Sequence, residues 1–225
     1  MPDLTTTAPR LTRRGALRTL GTAALLGTGL AAGSAALSAP ASASGRVETA
    51  SKHLYQPNSY YCGPTSVWMV LSAKMATPPS LATIAAHLET EEYGATPFWT
   101  IDDYLSATMP GATYSFQKVP TKPATSYSAN LLWERVTENV RNGYPSIAYW
   151  QAPAGSYPLW HGNTSRIGHY VVIDGYDPDT RELLIADPAG SALGGFTAPA
   201  YYWLPLWQVA NLCGVYDGWD AGYFW

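Results

Sequence analysis

The stretch QPNSYYCGPTSVWMVLS, residues 56–72, contains Cys62, one of only two cysteines in the 225-residue chain. Cys62 stands immediately before a Gly-Pro pair, and the apolar residues that follow recur at the three- and four-residue spacing of a helix. Pro64 suits a first helical turn, because the N–H that proline lacks has no helical partner there. The pattern predicts a helix over residues 64–75 with Cys62 at or just before its N-terminus.

Three interpretations of Cys62 fit this position: a nucleophile, half of a disulfide, or a small core residue. The partial positive charge of a helix N-terminus lowers the pKa of a thiol, and the resulting thiolate can attack a carbonyl and form an acyl-enzyme. The tetrahedral oxyanion then needs hydrogen-bond donors, namely the backbone N–H of the cysteine and a side-chain amide. Gln56, on the incoming loop, is the candidate amide.

A nucleophilic thiol needs a base, and His169 is the candidate among the four histidines. His169 begins a strongly β-branched strand, GHYVVIDGYD, in which an imidazole is unusual unless it has a chemical task. His53 lies in a polar lead-in, His87 in a helical pattern and His161 in a long loop, so these three are weaker candidates.

An acid should orient the imidazole, and Asp187 in LLIADPAG is the candidate. Asp174 lies on the same strand as His169 and about 16 Å from it, at about 3.3 Å per residue. A five-residue hairpin loop over 176–180 would place Asp187 opposite His169, whereas a four-residue loop would pair His169 with Pro188. The interpretation therefore predicts an odd-length loop, or a β-bulge that Gly175 would tolerate.

These motifs resemble the bacteriocin-processing-peptidase-like group of cysteine peptidases in the papain superfamily. The resemblance rests on Q-x5-C-G-P-T-S, on GHYVVIDGYD and on ADP at residues 186–188, and it covers most of residues 56–188. It implies a papain-like fold in which Gln56 serves the oxyanion hole, Cys62 is the nucleophile, His169 the general base and Asp187 the orienting acid. The group's best-known members cut leader peptides after a double glycine, as domains of membrane transporters. This chain departs from them, because we find no transporter segment and expect export on its own signal.

The order of elements predicts an α+β fold, with helices first and a mostly antiparallel sheet after them. We expect one domain over residues 44–225. The predicted helices cover residues 64–75, 81–88, 100–107, 130–142 and 206–212. The predicted strands cover residues 112–116, 144–150, 168–176, 182–187 and 200–204.

Residues 1–43 are typical of an export signal. Arg13 and Arg14 precede a run rich in Ala, Gly and Leu, and residues 41–43 form a small-residue cleavage site. The arginine pair resembles the twin-arginine type, although an ordinary secretory signal also fits. We therefore expect a bacterial secreted protein that meets an export machinery and keeps no stable membrane anchor once the signal is removed.

Composition limits the partners of the chain. The formal net charge is -3, so nothing indicates nucleic-acid binding. Two cysteines and four histidines offer no metal-ligand spacing, and we assign neither a metal nor a cofactor. An even cysteine count in an exported protein leaves a Cys62–Cys213 disulfide open. We expect a monomer that acts on a peptide or protein substrate.

Three function classes remain open from the sequence. The first is a secreted cysteine peptidase or amidase, the second an acyl or peptidyl transferase using the same thioester, and the third a non-catalytic cell-wall or peptide-binding module. The aromatic C-terminal residues fit either core positions or a sugar platform. Phe98, Trp99 and Trp160 are candidate cleft walls, and the loop over residues 151–166 is a candidate rim or lid.

Overall fold

The computed structural model describes residues 45–92, 95–192 and 197–225, which belong to one compact unit, Ser42–Trp225. The predicted export signal over residues 1–43 lies outside the described residues. Within the described part, no helix is both long and apolar enough to cross a membrane.

The centre of the fold is a seven-stranded antiparallel sheet with the order β2-β7-β3-β4-β5-β6, in which β1 also pairs with β4. The strands are β1 Val47–Glu48, β2 Phe116–Lys118, β3 Ser146–Ala152, β4 Ile167–Asp177, β5 Glu182–Ala186, β6 Tyr201–Pro205 and β7 Gly222–Phe224. Side chains alternate between the two faces of each strand, so each face can carry its own core.

In the described residues five α-helices accompany the sheet: α1 Cys62–Ser72, α2 Leu81–His87, α3 Ile101–Thr108, α4 Ser126–Arg141 and α5 Leu206–Leu212. Ser80 caps α2 by accepting the N–H of Thr83, and Thr125 caps α4 by accepting the N–H of Ser128. Gly143 follows α4 at a φ of 78°, a left-handed conformation that glycine adopts without steric cost.

Two hydrophobic cores lie on opposite faces of the sheet. One contains buried residues of α1, α2 and α3 with Tyr170 and Val172 of β4. The other contains buried residues of α4 and α5 with Val171 and Ile173 of the same strand. The expected α+β class with an antiparallel sheet is therefore confirmed, and α4 and α5 cover the face opposite the first three helices.

Several element boundaries differ from the predictions for physical reasons. Helix α1 begins two residues early, at Cys62 itself, which makes Cys62 the first helical residue. Helix α4 begins at Ser126 because Thr125 caps it, and the strand expected over 112–116 instead starts at Phe116. Strands β1 and β7 were not predicted, since two or three residues are too few for an alternation to show.

The β4–β5 hairpin combines a four-residue turn with a bulge. Asp177 pairs with Glu182, so residues 178–181 form the turn, and the register then shifts between Ile173 and Gly175. Of the two arrangements predicted to place Asp187 on the same face as His169, the structure has the β-bulge and not the five-residue loop. With the four-residue turn alone, Asp187 would lie on the face of the sheet opposite to His169. The extra residue of the bulge shifts the register by one, so that both side chains project from the same face. They meet on a diagonal rather than directly opposite each other.

Candidate active site

Helix α1 presents Cys62 at its N-terminus, where the side chain is 4% exposed. Gly63 allows the segment at Thr96 to approach, because a Cβ on Gly63 would lie 2.6 Å from Cβ of Thr96. That distance is too short for any side chain, so glycine is required where helix and segment touch. The first turn of α1 therefore places the thiol beside the segment that contains Thr96.

Strand β4 and the residue after β5 bring His169 and Asp187 together. Nε2 of His169 lies 2.9 Å from Oδ1 of Asp187, and both side chains are buried. The thiol of Cys62 is hydrogen-bonded to His169. Because Asp187 engages Nε2, Nδ1 is the ring nitrogen left for the thiol. The structure thus joins three of the sequence-predicted residues in one hydrogen-bonded chain.

The environment of Cys62 favours the thiolate. Burial alone would raise the pKa of Cys62, but the hydrogen bond and charge of His169, with backbone N–H groups of Tyr170 and Gly63, lower it below the usual thiol value. The thiolate is the nucleophilic form of cysteine, so its population below ordinary thiol pKa values is what acyl transfer needs.

His169 and Asp187 stabilise each other as an ion pair. Burial would lower the pKa of His169, yet the charge and hydrogen bond of Asp187, together with Cys62, raise it to about 10. Burial would raise the pKa of Asp187, but the charge and hydrogen bond of His169 hold it below its usual value. The imidazole is therefore protonated when the thiol is ionised, the charge state of an activated cysteine–histidine pair.

Two tyrosines that the sequence did not single out hold the carboxylate of Asp187. The hydroxyl of Tyr157 donates to Oδ2 at 2.5 Å, and that of Tyr202 donates to the same oxygen at 2.7 Å. The N–H of Ala189 donates to Oδ1 at 2.9 Å. A buried carboxylate with this many donors remains ionised and fixed in orientation. Tyrosine in a Gly- and Pro-rich loop or in an alternating strand carries no local pattern that would have predicted these contacts.

Gln56 is buried beside this group, on the segment that precedes α1. Its Nε2 donates to the carbonyl of Asn58 at 2.7 Å, and its backbone N–H donates to the carbonyl of Pro188 at 2.7 Å. An amide nitrogen carries two hydrogens, so one remains for another acceptor. Nε2 of His53, from the polar lead-in, donates to the carbonyl of Asp187 at 2.8 Å. These hydrogen bonds hold the segment that precedes α1 against Asp187 and Pro188.

The two cysteines are both free thiols. Cys62 belongs to the core on the α1 face of the sheet, and Cys213 to the core on the α5 face. Burial raises the pKa of Cys213 to about 12, so this thiol is inert and packs as a small apolar residue. The structure therefore contradicts the disulfide alternative.

The loop after β3 is anchored rather than open. Strand β3 continues to Ala152, and the loop carries Tyr157 and Trp160, which are 0% and 1% exposed. The ring of Trp160 lies 6.4 Å from that of His169, so Trp160 supports the site from inside and is not an exposed cleft wall. Trp99, in contrast, is 62% exposed.

Among the residues that the structure describes, no group of three or more His, Cys, Asp and Glu could hold a metal.

The family model of the Peptidase_C39-like family matches residues 48–209. No curated protein sequence gives a significant match. Among solved structures, the fold is similar to xylellain, a cysteine protease from Xylella fastidiosa, with 13% identity over 80% of this chain and 84% of that one at a TM-score of 0.53.

Two further solved structures are similar over comparable lengths. The peptidase domain of Streptococcus ComA, a bifunctional ABC transporter, shares 15% identity over 77% of this chain and 96% of that one, with a TM-score of 0.45. A double-glycine-motif protease from an AMS/PCAT transporter, solved with the leader peptide, shares 13% identity over 79% and 94%, with a TM-score of 0.46.

Proposed function

The chain belongs to the Peptidase_C39-like family and is a papain-like cysteine peptidase, and on that premise we propose that it hydrolyses peptide bonds through an acyl-enzyme on Cys62. The observation that carries the proposal is the hydrogen-bonded chain from Cys62 through His169 to Asp187. In this network the surroundings lower the pKa of Cys62 and so favour its thiolate, keep the carboxylate of Asp187 ionised and raise the pKa of His169, which favours the imidazolium between them.

The reaction proceeds in two halves. The thiolate of Cys62 attacks the scissile carbonyl carbon, and the carbonyl π electrons move to oxygen to form the oxyanion. As the intermediate collapses, His169 donates its proton to the departing amine, and the acyl group remains as a thioester. His169 then takes a proton from water, the resulting hydroxide attacks the thioester, and the thiolate leaves with release of the carboxylic acid. Asp187 stabilises the imidazolium throughout.

Gln56 is proposed as the side-chain donor to the oxyanion, with the backbone N–H of Cys62 as the second donor. The buried position of Gln56 on the segment leading into α1 supports this role. Gln56→Ala should lower kcat by about a hundredfold or more with little change in KM. Gln208→Ala on α5 is the matched control and should leave kcat unchanged. An equal loss in both variants would contradict the role of Gln56.

The test of the activity compares the two cysteines. Purified protein is incubated with fluorescently labelled casein, and peptide release is followed for Cys62→Ala and Cys213→Ala. Cys62→Ala should abolish hydrolysis, while Cys213→Ala should retain it, because Cys213 lies in the opposite core. Mass spectrometry after rapid quenching should find an added acyl group on Cys62 alone. Hydrolysis that survives Cys62→Ala would overturn the mechanism.

We further propose that the chain is exported on a signal within residues 1–43. The arginine pair, the Ala- and Leu-rich run and the small residues at 41–43 support this proposal. Replacing both Arg13 and Arg14 by Lys should block export if the twin-arginine route is used, since a general secretory signal needs only the positive charge. N-terminal sequencing of the protein in the medium reports the cleavage site, and an uncleaved N-terminus there would contradict the proposal.

A further inference from the structure

A cavity of about 320 Å³ opens between the segment before α3 and the loop before β7. Its lining includes Thr96, Phe98, Trp99, Tyr149, Trp219 and Asp220. The catalytic hydrogen-bond network does not use these side chains. A cavity of this size is at the lower end of ligand sites and matches a single large side chain rather than a whole small molecule.

The cavity adjoins the nucleophile through a continuous set of contacts. Thr96 packs directly on Gly63, the residue after Cys62. The hydroxyl of Tyr170 donates to the carbonyl of Thr96 at 2.9 Å, and the ring of Tyr149 stacks on that of Tyr170 with 4.4 Å between centroids. The N–H of Tyr170 also faces the sulfur of Cys62, so Thr96 and Tyr170 connect the residues that line the cavity to the first turn of α1.

The walls of the cavity expose aromatic rings. Trp99 is 62% exposed and Trp219 is 54% exposed. Phe98 meets Trp99 edge to face, with 5.3 Å between centroids, and lies parallel to Tyr149 at 6.4 Å. Exposed indole surface that lines a cavity loses contact with water when an apolar group enters, so the walls favour a ring over a small side chain.

Two charged side chains near the cavity have partners within the protein. The guanidinium of Arg166 lies over the ring of Trp219 at 4.3 Å from its centroid, and it is hydrogen-bonded to Gln151. Asp220 forms a salt bridge with Lys118. The carboxylate that would attract a basic side chain thus already has a cation beside it, and Arg166 covers one face of the Trp219 ring.

We propose that this cavity is a specificity pocket that takes one large aromatic side chain of the substrate, one or two residues from the scissile bond. The inference rests on the proposed hydrolysis at Cys62 and names the substrate class of the same site. A glycine at that substrate position would leave the indole surfaces uncovered, so the pocket favours peptides that differ from double-glycine sequences.

The test uses internally quenched alanine-based peptides that carry a single Phe at successive positions. At one position, Phe should raise kcat/KM at least about tenfold over the all-alanine peptide, as expected for burying an aromatic side chain. Trp219→Ala and Trp99→Ala should each reduce this Phe-to-Ala ratio severalfold. Trp207→Ala is the matched control, because Trp207 is also 64% exposed but does not line this cavity.

A second readout separates the pocket from the chemistry. Binding of the preferred Phe peptide to Cys62→Ala, followed by tryptophan fluorescence, should be tighter than binding of the all-alanine peptide and should weaken with Trp219→Ala added. Turnover without a Phe preference would overturn the proposed specificity pocket and leave the proposed hydrolysis at Cys62 standing. If the unmodified protein binds the Phe peptide selectively but does not cleave it, the proposed hydrolysis is overturned and the proposed specificity pocket is supported. A Phe preference that survives both tryptophan substitutions also overturns the pocket.

Discussion

Asp174 and Asp187 are both buried, yet their surroundings move their pKa values in opposite directions. Burial raises the pKa of Asp174 to about 6; hydrogen bonds from Thr49 and Ser51 oppose this rise, and the charge of Glu48 adds to it. Asp187 faces the imidazolium of His169, which holds its pKa below the usual value against the effect of burial. Hydroxyl donors alone do not compensate for desolvation of a carboxylate, whereas a cation does.

The raised pKa of Asp174 predicts a pH-dependent cost to stability. When folding raises the pKa of a carboxyl group, its protonated form stabilises the folded state. For Asp174 this contribution to the free energy of unfolding is fully present below the unfolded pKa of 3.8 and is lost as pH rises through the folded pKa of about 6. Asp174→Asn keeps a carbonyl oxygen for both hydroxyls and cannot ionise. The free energy of unfolding of the variant, measured relative to the unmodified protein, should therefore be about 2 kcal/mol higher at pH 7.5 than at pH 4.

Guanidinium unfolding curves at the two pH values measure this difference. Asp103→Asn, at an exposed position on α3, is the matched control and should change the free energy of unfolding by less than about 0.5 kcal/mol at either pH. A change for Asp174→Asn that is the same at pH 4 and pH 7.5 would show that Asp174 does not titrate in this range.

At the scale of single residues, the sequence was informative where chemistry is local. A cysteine at a predicted helix start and a histidine in a β-branched strand are unusual in their own neighbourhoods, so Cys62 and His169 could be singled out. Tyr157 and Tyr202 could not, because their hydroxyls acquire a partner only when distant segments meet at Asp187. Asp174 was set aside as an orienting acid for its distance from His169, and its own partners, Thr49 and Ser51, lie in a lead-in that carried no strand pattern.

At the scale of elements, β4 and β5 determine whether Asp187 can reach His169. The turn over residues 178–181 alone would direct Asp187 to the wrong face, and the bulge between Ile173 and Gly175 corrects it. The requirement for matching parity could be derived from the sequence, since it depends only on counting residues between His169 and Asp187. The choice between a longer loop and a bulge could not, because both satisfy the count.

Strand β6 contributes a positioning residue to this arrangement, and Tyr202→Phe tests it. The hydroxyl of Tyr202 is one of the donors that lower the pKa of Asp187, after the larger effect of His169. A carboxylate with a depressed pKa contributes stability above its unfolded pKa, and this contribution is lost as pH falls through the folded pKa. Removing the donor raises the pKa of Asp187, so acid unfolding should begin at a higher pH. We also expect kcat/KM to fall about tenfold.

Circular dichroism between pH 2 and pH 6 and a peptide assay measure the two effects. Tyr201→Phe is the matched control, because Tyr201 is the preceding residue in β6 and is 40% exposed. It should change neither the acid midpoint nor kcat/KM. If Tyr202→Phe lowers activity while its acid midpoint stays unchanged, the hydroxyl does not act through the charge of Asp187.

At the scale of the whole molecule, the sheet divides the chain into two cores with one cysteine in each. Cys62 packs with α1, α2 and α3, and Cys213 packs with α4 and α5. The sequence left a disulfide between them open, because neither local pattern states on which face of the sheet the residue lies. Only the register of all the strands decides that the two thiols are separated, and this separation leaves Cys62 available for chemistry.

Thiol labelling of the protein purified without reductant tests this division. Iodoacetamide at pH 6 should modify Cys62 and leave Cys213 untouched, since the pKa of Cys62 is lowered by His169 and that of Cys213 is raised to about 12 by burial. Both thiols should react after unfolding in guanidinium. His169→Ala should slow the labelling of Cys62 at pH 6 at least about tenfold, because only the backbone N–H groups of Tyr170 and Gly63 then oppose the rise in pKa that burial causes. A Cys62–Cys213 peptide in a non-reducing map, or equal labelling of both thiols in the native protein, would mean that the sheet does not keep them apart.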